Sequence, residues 1–298
     1  FGGGVSVTTT PQSPSLRPLP PRAPDAANTA ALAADPPRPA DTALFLHTSG
    51  TTSRPKGVPL THANLAASLT NIAATYELTP DDCSFLVMPL FHVHGLMAGL
   101  LAPLAAAAAV GLPPEGRFAA STFWAGVSEC RASFYTAVPT MHQVLLARGP
   151  GERAAAGTPR LRFIRSCSSA LAAPTLARLE AAFAAPVLEA YAMTEASHQM
   201  TANPLPSHGP HKPGTVGRAA GGVAVAVLDG ENRVITTPGT IGEVCIRGAN
   251  VTAGYRNNPA ANAEAYAGGW FHTGDQGSLD VEGYLTLTGR LKELINRG

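Results

Sequence analysis

Charged residues are scarce in this sequence and nearly balanced in sign. Lys, Arg, Asp and Glu make up 14% of the 298 residues, and 21 basic against 20 acidic side chains leave a formal charge of +1. An average domain carries roughly 25% charged residues. A nucleic-acid binder needs a basic patch or stripe, so no nucleic-acid partner is expected. Hydrophobic residues reach 45%, which excludes disorder over the whole chain.

Cysteines and long apolar runs are also few. The four cysteines, Cys83, Cys130, Cys167 and Cys245, form no C-x-x-C pair. This spacing argues against a disulfide framework or a zinc knuckle and fits a reducing compartment, the cytoplasm. No run reaches the ~18 apolar residues of a membrane span. The nearest run, residues 96–112, is interrupted by glycine and proline, so we predict no membrane span.

Short apolar strands alternate with helical stretches from residue 43 to residue 212. This order predicts a parallel sheet covered by helices, beginning with a buried parallel strand at 43–46. Thr61 is expected to cap a helix. Residues 1–42, rich in Pro, Ala, Ser and Thr, are predicted to form a linker, and residues 213–298 an antiparallel β-rich subdomain. Further strands are predicted at 84–89, 133–138, 162–166, 186–190, 223–228, 233–235, 242–247 and 284–288.

A loop rich in hydroxyl groups, TSGTTSRPKG, follows the first predicted strand. Backbone N–H groups and small hydroxyl side chains can surround a polyphosphate, and Lys56 adds a positive charge. A Walker A loop is excluded, because Pro55 and Gly57 flank this lysine where that motif needs Gly and a hydroxyl residue. An ordinary surface loop is the alternative. The residues of this phosphate loop are Thr48, Ser49, Gly50, Thr51, Thr52 and Lys56.

Three further segments, EAYAMTEASH, GWFHTGDQG and GRLKELINRG, carry groups suited to the rest of a nucleotide. Tyr191 offers a ring for a base, Thr194 a hydroxyl for a phosphate, and Glu195 a carboxylate for Mg²⁺. Asp275 and Arg290 can hold a ribose. Taken singly, each of them could instead be a turn or capping residue or a surface arginine.

In order and spacing, these segments resemble the adenylate-forming superfamily of acyl-CoA synthetases, luciferases and peptide-synthetase adenylation domains over residues 43–298. The resemblance implies an α/β fold, the large N-terminal domain of an adenylate-forming enzyme. Parallel-rich sheets would be flanked by helices, with a smaller β-rich subdomain beside them. It also implies that a carboxylate attacks the α-phosphate of ATP and that the thiol of CoA then displaces AMP. ATP, Mg²⁺ and CoA are the implied cofactors.

The resemblance also implies a role for each nucleotide-binding residue. The phosphate loop would cradle the β- and γ-phosphates of ATP, and Tyr191 would stack on adenine. Thr194 would meet the α-phosphate and Glu195 would bind Mg²⁺. Asp275 and Arg290 would hold the ribose.

The segment PLFHVHGL falls where this superfamily carries its acyl-pocket motif, so His92 would be a gating residue and His94 would line the pocket. Ser168, Ser169 and His198 add polar walls. Such walls suit a small, doubly charged acid, whose second carboxylate must be hydrogen-bonded once buried. With FIRSCSSAL and GPHKPGTVG, these segments resemble the oxalate–CoA ligases of plants and fungi, and the expected small-molecule substrate is oxalate. The expected catalytic residues are Lys56, Thr194, Glu195 and His92.

Three other interpretations stay open. His92 and His94 could bind a metal if they lay on one face of a strand. A ligase for a medium-chain or aromatic acid would need an apolar pocket. A non-catalytic nucleotide-binding module is the third interpretation.

The chain lacks an initiator Met and a signal-peptide pattern, and it begins and ends within patterned sequence, so we expect truncation at both ends. The superfamily's small C-terminal domain, which carries a catalytic lysine, would follow residue 298. We therefore expect this chain alone to be inactive. A peroxisomal signal would also lie beyond that residue.

Overall fold

The computed structural model describes residues 36–48, 55–149, 151, 153 and 157–291. The chain divides into two units, Phe1–Arg38 and Pro39–Gly298, and the described part of the first has no helix or strand. The predicted linker at 1–42 therefore falls mostly outside the described residues. All elements below belong to the second unit.

A hairpin of two antiparallel strands, β1 (Thr42–Thr48) and β2 (Lys56–Thr61), opens the second unit. Half-buried Leu44 and Leu46 alternate with exposed neighbours, so only one face of β1 packs against the core. The prediction of a buried parallel strand at 43–46 is therefore wrong. Four apolar residues in a row indicated a strand covered on both faces, whereas a two-stranded ribbon packs on one face only.

The first helix, α1 (His62–Thr75), begins where the sequence predicts it. The Oγ1 atom of Thr61 accepts a hydrogen bond from the Asn64 N–H at 3.1 Å, and Asn64 Oδ1 accepts from the Thr61 N–H at 3.0 Å. This reciprocal pair satisfies two donors that a helix start leaves free. Ile72 in α1 and Tyr76 just after it are buried and hold the helix against the central sheet.

Seven strands form the central sheet: β3 (Cys83–Phe85), β4 (Ala109–Gly111), β5 (Phe134–Ala137), β6 (Phe163–Ser166), β7 (Val187–Met193), β8 (His198–Ala202) and β9 (Arg218–Ala219). Their order is β4-β3-β5-β6-β7-β8-β9. The pairs from β4 to β7 are parallel, which confirms the predicted parallel sheet. The pairs of β8 with β7 and β9 are antiparallel, so the whole sheet is mixed.

Helices cover both faces of this sheet. Besides α1 they are a π-helix (His94–Leu101), α2 (Ala102–Ala105), α3 (Phe123–Glu129), α4 (Pro139–Arg148) and α5 (Ala173–Phe183). Side chains of α3, α4 and α5 pack on the face that contains Tyr135 and Ile164. Side chains of α1 and the π-helix pack on the opposite face, with Phe134 and Phe163. Among the described residues, every helix is too short or too polar to cross a membrane.

A second, antiparallel sheet contains β10 (Ala224–Leu228), β11 (Gly242–Arg247), β12 (Phe271–Leu279) and β13 (Leu285–Arg290) in chain order, with α6 (Pro259–Ala265) before β12. The antiparallel pairing agrees with the sequence prediction. The strand predicted at 233–235 is replaced by one isolated bridge between Leu228 and Val234. Asp229 Oδ1 accepts from the N–H groups of Glu231 and Arg233, which holds this segment as a tight turn.

Candidate active site

Three of the predicted nucleotide-binding residues are joined directly. Asp275 lies in β12 opposite Arg290 of β13, and its Oδ1 accepts from Arg290 Nε at 2.7 Å. Its Oδ2 accepts from the hydroxyl of Tyr191 in β7. The hydroxyl bond therefore links the central sheet to the four-stranded sheet at one buried carboxylate.

Two of these three residues are buried, and the third reaches the surface. Asp275 and Tyr191 are each 9% exposed, whereas the Arg290 side chain is 55% exposed. Burial, and then the negative Asp275, raise the pKa of the Tyr191 hydroxyl well above its ordinary value, so it stays a donor. The hydrogen bond and charge of Asp275 raise the pKa of Arg290. Asp275 lies within a strand rather than in a β-turn, and β7 continues past Ala190.

A second cluster surrounds Glu195, which follows Thr194 in a 3₁₀ turn (Thr194–Ala196) after β7. The Tyr255 hydroxyl donates to Glu195 Oε1 at 2.9 Å, and Lys56 Nζ lies 4.6 Å from the centre of the Tyr255 ring. Tyr255 thus connects the lysine to the buried carboxylate. Sequence reasoning missed this tyrosine, because it lies in a segment to which no role was assigned.

The phosphate loop is described only at its two ends. Thr48 is the last residue of β1, and Lys56 is the first residue of β2 and its pairing partner. Ser49, Gly50, Thr51 and Thr52 lie outside the described residues. The loop therefore connects two antiparallel strands, and its lysine lies at the second cluster. The phosphate contacts stay a prediction.

Three of the four predicted acid-binding residues form a third cluster. His94, the first residue of the π-helix, has its Nδ1 3.0 Å from Ser168 Oγ and its Nε2 2.6 Å from Thr136 Oγ1. Its ring stacks on that of His198, with centroids 5.3 Å apart. Ser168 has a left-handed φ of 74° just after β6, and Thr136 lies near the end of β5. These positions agree with the rule that ligands bind at the carboxyl ends of parallel strands.

Burial controls the charge of this third cluster. His94 and His198 are 2% and 1% exposed, and desolvation lowers the pKa of both well below the ordinary value. The positive Arg165 lowers both pKa values further. Both imidazoles are therefore neutral near pH 7. His198 Nε2 is buried and has no hydrogen-bond partner among the described residues, so its hydrogen-bonding capacity is left for a group outside the protein.

Two predicted residues lie apart from this cluster. Ser169 is exposed and makes no hydrogen bond with any described residue. His92 is exposed in the turn before the π-helix, against the Phe91 ring. The metal interpretation of His92 and His94 is not supported, because the two residues do not lie on a strand. Both ring nitrogens of His94 also lie within hydrogen-bond distance of hydroxyl groups. The described residues contain one possible three-ligand group, Glu243, Cys245 and His272, on the four-stranded sheet.

The short turn at Ser197 and His198 connects the second cluster to the third. Ser197 and His198 have φ values of 49° and 99°, in the left-handed region that costs energy for residues other than glycine. Ser68 Oγ donates to the Ser197 carbonyl at 2.6 Å, and Asn250 Nδ2 donates to the Ala196 carbonyl at 2.9 Å. These bonds hold the strained turn between Glu195 and His198.

Comparison with known proteins identifies the family. A family model described as "AMP-binding enzyme" matches residues 4–256. The chain is 61% identical to the oxalate–CoA ligase of Arabidopsis thaliana over 260 residues, and 54% identical to that of Saccharomyces cerevisiae over 263. These matches cover 87% and 88% of the chain, but 50% and 47% of the relatives. The chain therefore spans about half the length of the curated relatives it matches.

Solved structures show the same fold. ATP-bound MatB from Rhodopseudomonas palustris matches with a TM-score of 0.77 and 32% identity, over 87% of this chain and 50% of that one. A malonyl-CoA ligase in a ternary product complex with methylmalonyl-CoA and AMP matches with a TM-score of 0.76 and 34% identity. That match covers 86% of this chain and 54% of the other.

Proposed function

Since the chain belongs to the family of AMP-binding enzymes, we propose that it forms part of an ATP-dependent ligase that activates oxalate and transfers it to CoA. The observation that carries the proposal is a polar cluster in which His94, Thr136 and His198 are buried and the exposed Ser168 contacts His94. A medium-chain or aromatic acid would need an apolar wall at these positions. The oxalate–CoA ligases among the relatives support the same substrate.

The proposed reaction has two steps. A carboxylate oxygen of oxalate attacks the α-phosphorus of ATP, the bond to the bridging oxygen breaks, and pyrophosphate leaves. The CoA thiol then loses its proton and attacks the acyl carbon, and AMP leaves to give oxalyl-CoA. Thr194 and Lys56 would stabilise charge on the phosphates in the first step. Asp275 and Arg290 would hold the ribose.

Glu195 is the residue that we propose for Mg²⁺. Mg²⁺ prefers oxygen ligands and is commonly held by one or two carboxylates together with substrate phosphates. A single buried carboxylate with one oxygen bonded to Tyr255 fits that donor set. The ion would neutralise phosphate charge when bound.

The second carboxylate of oxalate would lie against the two histidines. A carboxylate removed from water needs hydrogen-bond donors. Ser168 Oγ can accept from the ring N–H of His94, so its own proton is available to the substrate, and the unpartnered Nε2 of His198 supplies a second contact. A monocarboxylic acid with an apolar chain would leave these groups unpaired, which disfavours it.

The test is a pyrophosphate-release assay of the full-length protein with single carboxylic acids. We expect oxalate to give the highest kcat/KM in a panel with malonate, glyoxylate, a medium-chain acid and an aromatic acid. A preference for the medium-chain or aromatic acid would overturn the substrate assignment. Absence of turnover with every acid would overturn the ligase.

His198→Ala tests the acid site within that assay. We expect it to raise KM for oxalate by about tenfold or more with little change in KM for ATP, because a desolvated donor is lost on one substrate only. His208→Ala is the matched control, since His208 is exposed and pairs with Glu77 on the surface. Unchanged oxalate kinetics in His198→Ala and in His94→Ala would contradict the pocket.

We also propose that the segments absent from this chain are needed for turnover, since the relatives are about twice as long. Comparing residues 1–298 with the full-length protein in the same assay tests this, and equal turnover would contradict it.

All four cysteines are free, which supports a reducing compartment, proposed to be the cytoplasm, with the peroxisome as the alternative.

A further inference from the structure

A buried arginine lies next to the third cluster, the proposed acid site. Arg165 in β6 is 1% exposed. Its guanidinium donates to three neutral oxygens: Tyr76 Oη at 2.9 Å, Thr136 Oγ1 at 3.1 Å and Gln199 Oε1 at 3.1 Å. Thr136 also contacts His94 Nε2, so a single side chain, that of Thr136, separates the guanidinium from His94.

This guanidinium has no carboxylate partner within the part of the chain that the structure describes. None of the described acidic side chains lies within ion-pair distance of it. The acid on the neighbouring strand, Glu189, follows Leu188, which is the pairing partner of Arg165. Because side chains alternate along a strand, Glu189 belongs to the opposite face of the sheet. A buried charge without a counterion is costly, and proteins rarely keep one without use.

The hydrogen bonds around Thr136 have a direction. Its Oγ1 accepts from Arg165, so its own proton is free to be donated to His94 Nε2, 2.6 Å away. A neutral imidazole that accepts at Nε2 carries its proton on Nδ1. That N–H is the one at the pocket side, 3.0 Å from Ser168 Oγ.

We propose that Arg165 is a positioning residue for a doubly charged acid: through Thr136 it holds His94 as an Nδ1–H donor, and it supplies the positive charge that the second carboxylate needs. The inference rests on the proposed function. The two histidines are neutral, so they contribute donors but no charge. The bound dianion would become the counterion that this guanidinium lacks.

A merely structural arginine would behave differently. It would affect stability, and it would affect all substrates alike. The proposal instead predicts a specific loss for the dianionic substrate. The informative comparison is oxalate against glyoxylate, which is close in size but has one carboxylate.

The experiment compares Arg165→Gln, Arg165→Lys and Thr136→Val in the full-length protein. We expect Arg165→Gln to raise KM for oxalate by about 30-fold, and KM for ATP by less than about threefold, since a charged hydrogen-bond network is lost at the acid only. The ratio of oxalate to glyoxylate kcat/KM should fall by about tenfold or more. Arg165→Lys keeps the charge and should recover part of both losses. Thr136→Val removes the hydroxyl that connects Arg165 to His94. It should weaken oxalate binding although Arg165 is still present.

The control is Arg162→Gln, on the adjoining chain segment, which removes a partly exposed ion pair to Asp82. It should leave the oxalate to glyoxylate ratio unchanged. Equal effects on oxalate and glyoxylate in Arg165→Gln would overturn the inference while leaving the ligase intact. Lack of oxalate turnover by the unmodified protein would instead overturn the proposed function.

A measurement on the unmodified protein covers the case in which Arg165 variants fail to fold. Nitrogen-15 spectra of the histidine side chains report the tautomer, and His94→Gln identifies the resonance. We expect His94 to be protonated at Nδ1 and not at Nε2 from about pH 6.5 to 8. An Nε2–H tautomer, or a doubly protonated ring, would overturn the inference that Arg165 acts through Thr136 on His94.

Discussion

Removing the hydroxyl of Tyr255 would isolate one hydrogen bond at the proposed magnesium site. The hydroxyl donates to Glu195 Oε1 at 2.9 Å, and the ring lies 4.6 Å from Lys56 Nζ. Tyr255→Phe removes only the hydrogen bond. Tyr255→Leu removes the ring beneath the lysine as well. The two variants therefore separate the contribution of the donor from that of the ring.

The expected loss follows from burial and charge. Tyr255 and Glu195 are each 7% exposed. A hydrogen bond to a charged group contributes about 1.5–3 kcal/mol. Thr252 N–H still holds the Glu195 carbonyl at 2.7 Å, so the backbone stays in place and the cost falls on the carboxylate alone. We expect Tyr255→Phe to lower the free energy of unfolding by about 2 kcal/mol. Tyr255→Leu should cost about 1–2 kcal/mol more through lost packing and the lost cation–π contact.

Urea unfolding and magnesium-dependent pyrophosphate release provide the two measurements. We expect Tyr255→Phe to raise the Mg²⁺ concentration needed for half-maximal rate, because Glu195 loses the donor that orients it. Tyr284→Phe is a matched control: its hydroxyl donates to the Pro210 carbonyl at 2.6 Å, and Lys212 Nζ lies 4.1 Å from its ring. It should lower stability without changing the Mg²⁺ requirement.

The result that would refute this reasoning is specific. If Tyr255→Phe lost stability as the Tyr284 control does but kept its Mg²⁺ and ATP dependence, the tyrosine would only fill the core. Glu195 would then lose its best structural support as the magnesium residue.

Four more outcomes are expected. Lys56→Ala should cost about 2–4 kcal/mol of transition-state stabilisation, seen as a slower adenylation step, and an unchanged rate would contradict the phosphate-loop assignment. Asp275→Asn should raise KM for ATP by about tenfold but leave KM for oxalate alone, and the reverse pattern would contradict the ribose assignment. Because burial lowers the pKa of His94 and His198, KM for oxalate should show no ionisation near pH 6.5 between about pH 6 and 8. Burial raises the pKa of Glu189 from 4.5 to about 6, so its contribution to stability is full below pH 4.5 and is lost as the pH rises through about 6. Glu189→Gln should therefore flatten the stability profile in that window by about 2 kcal/mol in urea titrations, and an unchanged slope would count against the shift.

Elements defined by local pattern were predictable from the sequence. The helix after Thr61 and the strands near 134–137 and 163–166 agree with prediction, because periodicity and capping are properties of neighbouring residues. The pairing of β1 was wrong, because the same four apolar residues suit a covered parallel strand or one face of a hairpin. Which partner a strand finds is decided by distant segments.

The candidate site divides in the same way. The motif residues Tyr191 and Asp275 were identifiable, but their direct bond joins positions 84 residues apart and has no local signal. Thr136 and Tyr255 belong to no recognised motif. Arg165 did leave a signal, since a charged arginine follows Phe163 and Ile164 inside a short strand predicted to be buried. A polar residue in a strand predicted to be buried identifies a position whose partners are worth seeking.

The strained turn at Ser197 and His198 would align the two substrates of the proposed ligase. Glu195, proposed for the metal, and His198, proposed for the acid, are separated by only two residues. An extended or helical backbone would place them at other angles. The left-handed pair of residues turns the chain so that Glu195 contacts Tyr255 while His198 stacks on His94. Because adenylation needs the carboxylate and the α-phosphate held close together, the strained turn would fix the proposed acid site relative to the proposed nucleotide site within one short segment.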